Sequence, residues 1–146
     1  MPTLTFRPLI FVFGANAQGI HGAGSARYAS LFCGAIPGQG SGFQGKKNQF
    51  GNMVPECYGI ISCKRPCHGP EDWITLAELK VEIDKFIADA KANPDKDFKV
   101  TQVACGFAGH TKEEVAPLFL DAPENCMFDS AWEFALGSDR TYWGTF

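Results

Sequence analysis

The chain has 146 residues, a formal net charge of -3 at pH 7 and 45% hydrophobic residues, which fits a single domain over 1–146 that buries roughly two-thirds of the surface its unfolded form exposes. A sequence pI near 5.5 argues against a protein that grips the nucleic-acid backbone, whose footprint is basic, and directs attention to a small ligand. No apolar stretch reaches the roughly 18–20 residues of a membrane span and no basic, apolar, small-residue leader opens the chain, so a cytoplasmic protein with no membrane partner is expected.

Residues 9–13, Leu-Ile-Phe-Val-Phe, form a continuous apolar run that predicts a strand buried on both faces, the parallel-sheet kind. The run empties into Gly14-Ala15-Asn16-Ala17-Gln18-Gly19-Ile20-His21-Gly22-Ala23-Gly24, and a helix is expected from about Ser25 to Phe32. Glycine lets the backbone turn sharply and approach a ligand closely. The helix would aim unpaired N–H groups and the positive end of its dipole at an anion. The plainer alternative is a tight βα connection, but four glycines directly after a buried strand favour a phosphate site.

Residues 34–51 are glycine-dense without apolar periodicity and predict a long loop. No acidic residue occurs from 34 to 54, and Lys46 and Lys47 make a local basic patch that an anion would tolerate. Within it Gly40-Ser41-Gly42-Phe43-Gln44-Gly45-Lys46-Lys47 approaches the P-loop spacing, yet Lys47 stands where a Mg²⁺-holding Ser/Thr is needed and no buried strand leads in. It is set aside as a chance match.

Residues 53–61 predict a second strand, distorted near Pro55, and a polar loop follows over 64–72. Thr75-Leu76-Ala77-Glu78 matches a capping box, and Leu76, Leu79, Ile83, Phe86, Ile87 and Ala90 keep helical spacing until Asn93-Pro94. Residues 98–105 predict a third strand that runs into Gly106-Phe107-Ala108-Gly109-His110, a second strand-to-glycine turn. Thr111-Lys112-Glu113-Glu114 repeats the capping box and opens a short helix through Val115 and Leu118. Cys126-Met127-Phe128 suggests a last short strand, and Arg140-Thr141-Tyr142-Trp143 reads as a cover for the core or for a neighbouring copy, leaving a homo-oligomer open.

The six cysteines, Cys33, Cys57, Cys63, Cys67, Cys105 and Cys126, read as reduced thiols in a cytosol-like compartment. Cys63, Cys67 and His68 have zinc-like spacing, but a structural site needs four ligands and no second pair completes it, so no metal and no cofactor is expected. Nothing in the sequence marks Cys105 as a lowered-pKa nucleophile.

Strands alternating with helices imply an α/β sheet whose ligand lies outside the carboxyl ends of parallel strands. Both glycine turns lie at such ends. Should the first and third strands be parallel neighbours, the two turns face one crevice and give two backbone cradles for a diphosphate.

At these two turns the sequence resembles the macrodomain family, and more closely the small macrodomain-like proteins common in bacteriophages and bacteria, which carry Phe-Gly-Ser/Ala-Asn and then His-Gly-Ala-Gly. The pattern stands here as Phe13-Gly14-Ala15-Asn16 and His21-Gly22-Ala23-Gly24, with Val103-Ala104-Cys105-Gly106-Phe107-Ala108-Gly109-His110 as its distal counterpart. The resemblance runs from Leu9 to about Trp132 and implies a macrodomain-like three-layer sandwich with a mixed, mostly parallel central sheet. It also implies an ADP-ribose-type or related cyclic nucleotide held by Gly22, Ala23 and Gly24 on one side and residues 105–109 on the other, with Asn16 at the distal ribose. The Gly-Asp-Ile segment with which many macrodomains grip adenine has no counterpart in residues 1–9.

The expected ligand-binding set is therefore Gly14, Asn16, Gly19, His21, Gly22, Ala23, Gly24, Cys105, Gly106, Phe107, Ala108, Gly109 and His110. Three functions stay open: capture of the nucleotide, which in a phage protein would sequester a host immune signal; hydrolysis of an ADP-ribosyl ester or glycosidic bond, with Asn16 positioning water and His21 assisting; and a protein-interaction module with a vestigial pocket. No carboxylate lies within the turns themselves, which favours binding over turnover.

Overall fold

The first strand, β1 (Leu9–Asn16), alternates its side chains between two cores: Ile10 and Val12 enter one, Phe11, Phe13 and Ala15 the other. Such a strand needs cover on both faces, and it has it. Helix α1 (Gly24–Phe32) lays Ala26 and Ala29 on the Phe11/Phe13 side, while α2 (Leu76–Ala92) lays Leu79, Ile83, Phe86, Ile87 and Ala90 on the Ile10/Val12 side. The computed structural model describes residues 7–145. Residues 1–6 and 146, which the single-domain expectation includes and which hold most of the segment searched for an adenine grip, lie outside the described residues.

The other strands are β2 (Gly42–Gln44), β3 (Cys57–Cys63), β4 (Asp97–Val100), β5 (Cys126–Asp129) and β6 (Thr141–Gly144), and the six-stranded sheet has the order β2-β3-β1-β4-β5-β6. All neighbours are parallel except β2 with β3. The fold is thus α/β with a mixed, mostly parallel sheet. The first and third predicted strands, β1 and β4, are parallel neighbours, Leu9 opposite Asp97 and Val12 opposite Val100. Among the described residues no helix is long and apolar enough to cross a membrane.

Both capping boxes form. Thr75 Oγ1 accepts from Glu78 N at 3.1 Å while Thr75 N donates to Glu78 Oε1 at 2.9 Å, and Thr111 with Glu114 repeats the exchange at the start of α3 (Lys112–Val115). A short 3₁₀ turn, Ala116–Phe119, continues α3 and brings Phe119 against Phe86, Phe128 and Trp132. These aromatics make the α2 side the larger core.

Three segments depart from the sequence expectations. The glycine-dense stretch 34–51 is not a loop throughout, because β2 pairs with the edge of β3. Gly34, Gly40 and Gly45 serve close packing of main chain on main chain: a Cβ at Gly40 would strike Asn16 O, one at Gly45 would strike Val54 O, and one at Gly59 of the adjoining β3 would strike Gly40 O. The second strand begins at Cys57 and not at residue 53, and the third ends at Val100, residues 101–110 forming an irregular turn. Tyr142 and Trp143 lie in β6, an edge strand on β5.

Candidate ligand-binding site

The carboxyl ends of β1, β3, β4 and β5 open on a cavity of about 600 Å³, where an open α/β sheet takes its ligand. Gly14, Asn16, Gly22, Ala23 and Gly24 line it from the first glycine turn, and Cys105, Gly106, Phe107 and Ala108 from the second. The two turns, remote in sequence, therefore face one space because β1 and β4 are neighbours.

The first cradle is the start of α1. Its N-cap is Ala23, which has no side chain able to accept from the first N–H groups, and no side-chain cap bond is made. Ala23, Gly24, Ser25 and Ala26 all border the cavity, so the uncapped end of the helix dipole faces it. None of the lining residues is a lysine or arginine. An anion at this end of the cavity would meet main-chain N–H groups and the helix dipole with no lysine or arginine beside them.

The second cradle is a tightly braced turn. Thr101 N and Oγ1 both donate to Val12 O, at 3.2 and 2.7 Å, Val103 N donates to Thr101 O at 2.7 Å, and His110 N donates to Ala104 O at 3.2 Å. Ala104 has φ 65°, the left-handed region that costs a non-glycine residue on the order of 1–2 kcal/mol. The bracing holds that conformation at the cavity wall.

Glycine is required for different reasons at different positions. A Cβ at Gly22 or Gly106 would meet no atom within 4 Å and both residues are exposed, so neither packing nor a left-handed backbone calls for glycine there. Both residues line the cavity. Gly19 and Gly109 are different, and neither belongs to the lining. Gly19 (φ 67°) presses on the main chain of Gly38 and Gln39, and Gly109 (φ 79°) on the ring of Trp73, which would lie 2.5 Å from a Cβ. Both are structural.

Of the three histidines, His21 and His110 are also outside the lining, whereas His68 borders the cavity. His21 stands edge-on to Phe13 and its Nε2 lies 3.0 Å from Ile36 O, to which it must donate. His110 Nε2 lies 3.1 Å from Ile74 O in the same way. Asn16 does border the cavity, but its Oδ1 accepts from Gln18 N and Ile20 N and its Nδ2 donates to Ile20 O at 2.7 Å. Its amide is thus engaged in shaping the first turn, and the structure does not bring an Asn16–His21 pair to the cavity.

Sequence reasoning missed the floor of the site. Asp129, 0% exposed, lines it from the end of β5, Thr101 and Gln102 line it from the turn directly after β4, and Ser62 from β3. The signal for Asp129 is its place directly after the apolar run 126–128, at the carboxyl end of a parallel strand. Phe107, 69% exposed, stands on the rim and its carbonyl accepts from Trp73 Nε1 at 2.8 Å.

The remaining wall is the segment after β3. Cys63 and Cys67 form a disulfide with Cα atoms 6.0 Å apart, which corrects the expectation that all six cysteines are reduced: a turn through Pro66 brings the two into bridging range. Asp72, buried beneath this loop, accepts from His68 N at 2.9 Å and pairs with Arg65. The His68 N–H foremost, with Arg65, holds its carboxyl below the usual carboxylate range. Among the described residues no group of three or more His, Cys, Asp or Glu could hold a metal ion.

Cys105 lines the cavity, and burial pushes its thiol up to about 11, so near neutral pH it is a thiol and not a thiolate nucleophile. Alkylation of the unreduced, denatured chain should label Cys33, Cys57, Cys105 and Cys126, and mass spectrometry should find Cys63 and Cys67 blocked until a dithiol is added. Full labelling without reductant would show that the bridge is not formed in solution.

No protein-family model matches the chain, and neither a curated protein nor a solved structure does.

Proposed function

We propose that the protein binds an ADP-ribose-type or related cyclic nucleotide, its phosphates held by the N-terminus of α1 on one side and the 104–108 turn on the other, in a macrodomain-like arrangement. The observation that carries this reading is the pair of glycines, Gly22 and Gly106, that face one cavity and have no packing or backbone reason to be glycine. The uncapped start of α1 supplies donors without a competing side chain. A diphosphate suits a neutral cradle of N–H groups better than a cationic ligand does, since no donor there has to be displaced.

Capture is favoured over hydrolysis. Asn16 is tied to its own turn, His21 donates to Ile36 O, and Cys105 is a neutral thiol, so three of the groups that would move protons are unsuited to it. A protein of this kind would serve by withholding its ligand, and in a phage that ligand would be a host nucleotide signal.

The test is incubation of the protein with ADP-ribose and, separately, a cyclic ADP-ribose, followed by heat denaturation and chromatography. The nucleotide should be bound in the native state and recovered unchanged. Multiple-turnover conversion would replace capture by hydrolysis, and absence of binding to any nucleotide diphosphate would remove the reading.

A further inference from the structure

The wall formed by the turn after β4 and the end of β5 carries a pair of side chains that a phosphate cradle does not use. Gln102, half-buried, lines the cavity, and its Nε2 donates to Asp129 Oδ2 at 3.3 Å. Asp129 is itself fixed from the other side, accepting from Ala131 N at 2.9 Å on Oδ1 and from Thr145 Oγ1 at 3.2 Å on Oδ2. A carboxylate only accepts hydrogen bonds. The Gln102 carboxamide is therefore held one way round, its NH₂ group towards Asp129 and its Oε1 away, although the two ends are alike in shape.

One N–H and the Oε1 of Gln102 make no hydrogen bond to the described residues. A glutamine with both a donor and an acceptor to spare, locked in one orientation at a cavity wall, reads a group that offers an acceptor and a donor side by side. Phosphate oxygens offer acceptors only, and so leave the Oε1 of Gln102 without a donor.

We infer that Gln102, oriented by Asp129, selects the non-phosphate part of the ligand by pairing with a group that bears an adjacent donor and acceptor, the chemistry shared by a ribose vicinal diol and an amino-substituted purine edge. This rests on the reading of the cavity as a nucleotide site. Gln102 touches the ligand, and Asp129 acts through it as a positioning residue. The phosphates then lie towards α1 and the 104–108 turn, and the sugar or base towards β5.

Calorimetric titration of the full chain with ADP-ribose and with inorganic pyrophosphate separates the two ends. Gln102→Leu should weaken ADP-ribose about tenfold and leave pyrophosphate within about twofold, the loss of one or two hydrogen bonds at one end only. Asp129→Asn keeps an oxygen for Ala131 N but lets the glutamine turn over, so it should show the same selective loss at about threefold. Gln102→Met, of similar length and without the amide, replaces Gln102→Leu should that variant unfold. Ribose 5-phosphate and 2′-deoxyadenosine monophosphate, titrated into wild type and Gln102→Leu, identify the source: the diol if only the first is weakened, the base edge if only the second. Equal losses of ADP-ribose and pyrophosphate, or no loss of ADP-ribose, overturn the assignment while wild-type binding keeps the nucleotide site standing. Wild type that binds neither ADP-ribose nor pyrophosphate removes the site and the assignment together.

Discussion

Replacing Gly22 with valine should cut ADP-ribose affinity on the order of 100-fold, about 2.7 kcal/mol, and leave folding stability within about 0.5 kcal/mol of wild type. The position is exposed, carries no left-handed φ, and an added Cβ meets nothing within 4 Å, so the folded chain has no objection to the side chain. The isopropyl group instead occupies cavity volume directly before the N-terminus of α1, where a phosphate oxygen has to approach the N–H groups closely. Titration with ADP-ribose beside a urea melt reads both quantities. Wild-type affinity in a folded Gly22→Val protein would place the phosphates elsewhere.

The same substitution in the second turn should do the opposite. Gly109→Val puts a branched side chain at φ 79° and against the Trp73 ring, which already stands 2.5 Å from the position of a Cβ. Overpacking and a left-handed β-branched residue together should cost about 3 kcal/mol or more, enough to remove most of the native population of a marginally stable domain. Circular dichroism and a urea melt would show it directly. A Gly109→Val protein as stable as wild type would mean that Trp73 is not packed on this turn, and with it that the bond from Trp73 Nε1 to Phe107 O is not made.

These two glycines illustrate what the sequence could and could not disclose. Elements with a local code were legible: the apolar alternation-free run of β1, the Thr75–Glu78 and Thr111–Glu114 capping boxes, and the helical spacing from Leu76 to Ala90 all depend on residues within a few positions of one another. Glycine at a turn has no such unique reading. Gly22 and Gly106 face open space, whereas Gly19 and Gly109 are pinned by Gln39 and Trp73, partners that only the folded chain brings near. The contacts of His21 and His110 were hidden for the same reason, since Ile36 O and Ile74 O are supplied by other segments.

The floor of the site was hidden by a different effect. Asp129 and Gln102 sit in sequence without a motif, one at the end of a four-residue strand and one in a turn, and only the β1-β4-β5 order puts them beside the glycine turns. The Cys63–Cys67 bridge depends on the backbone path through Pro66, and β6 is too short and too polar at its start to declare itself as a strand.

The position of β1 in the sheet has a bearing on how the chain comes into being. β1 is an interior strand whose two neighbours, β3 and β4, both follow it in sequence, so the apolar residues 10–13 leave the ribosome before either is available. Parallel pairing between segments so distant in sequence is slow, because loop closure is spent before any strand contact is gained. Until Val100 has emerged, the nascent chain exposes a β-prone apolar segment of the sort that recruits holdase chaperones or aggregates. The cavity, walled by the ends of β1, β3, β4 and β5, comes into existence only when these four strands have paired, and a ligand present at that moment would pull the folding equilibrium of the domain forward.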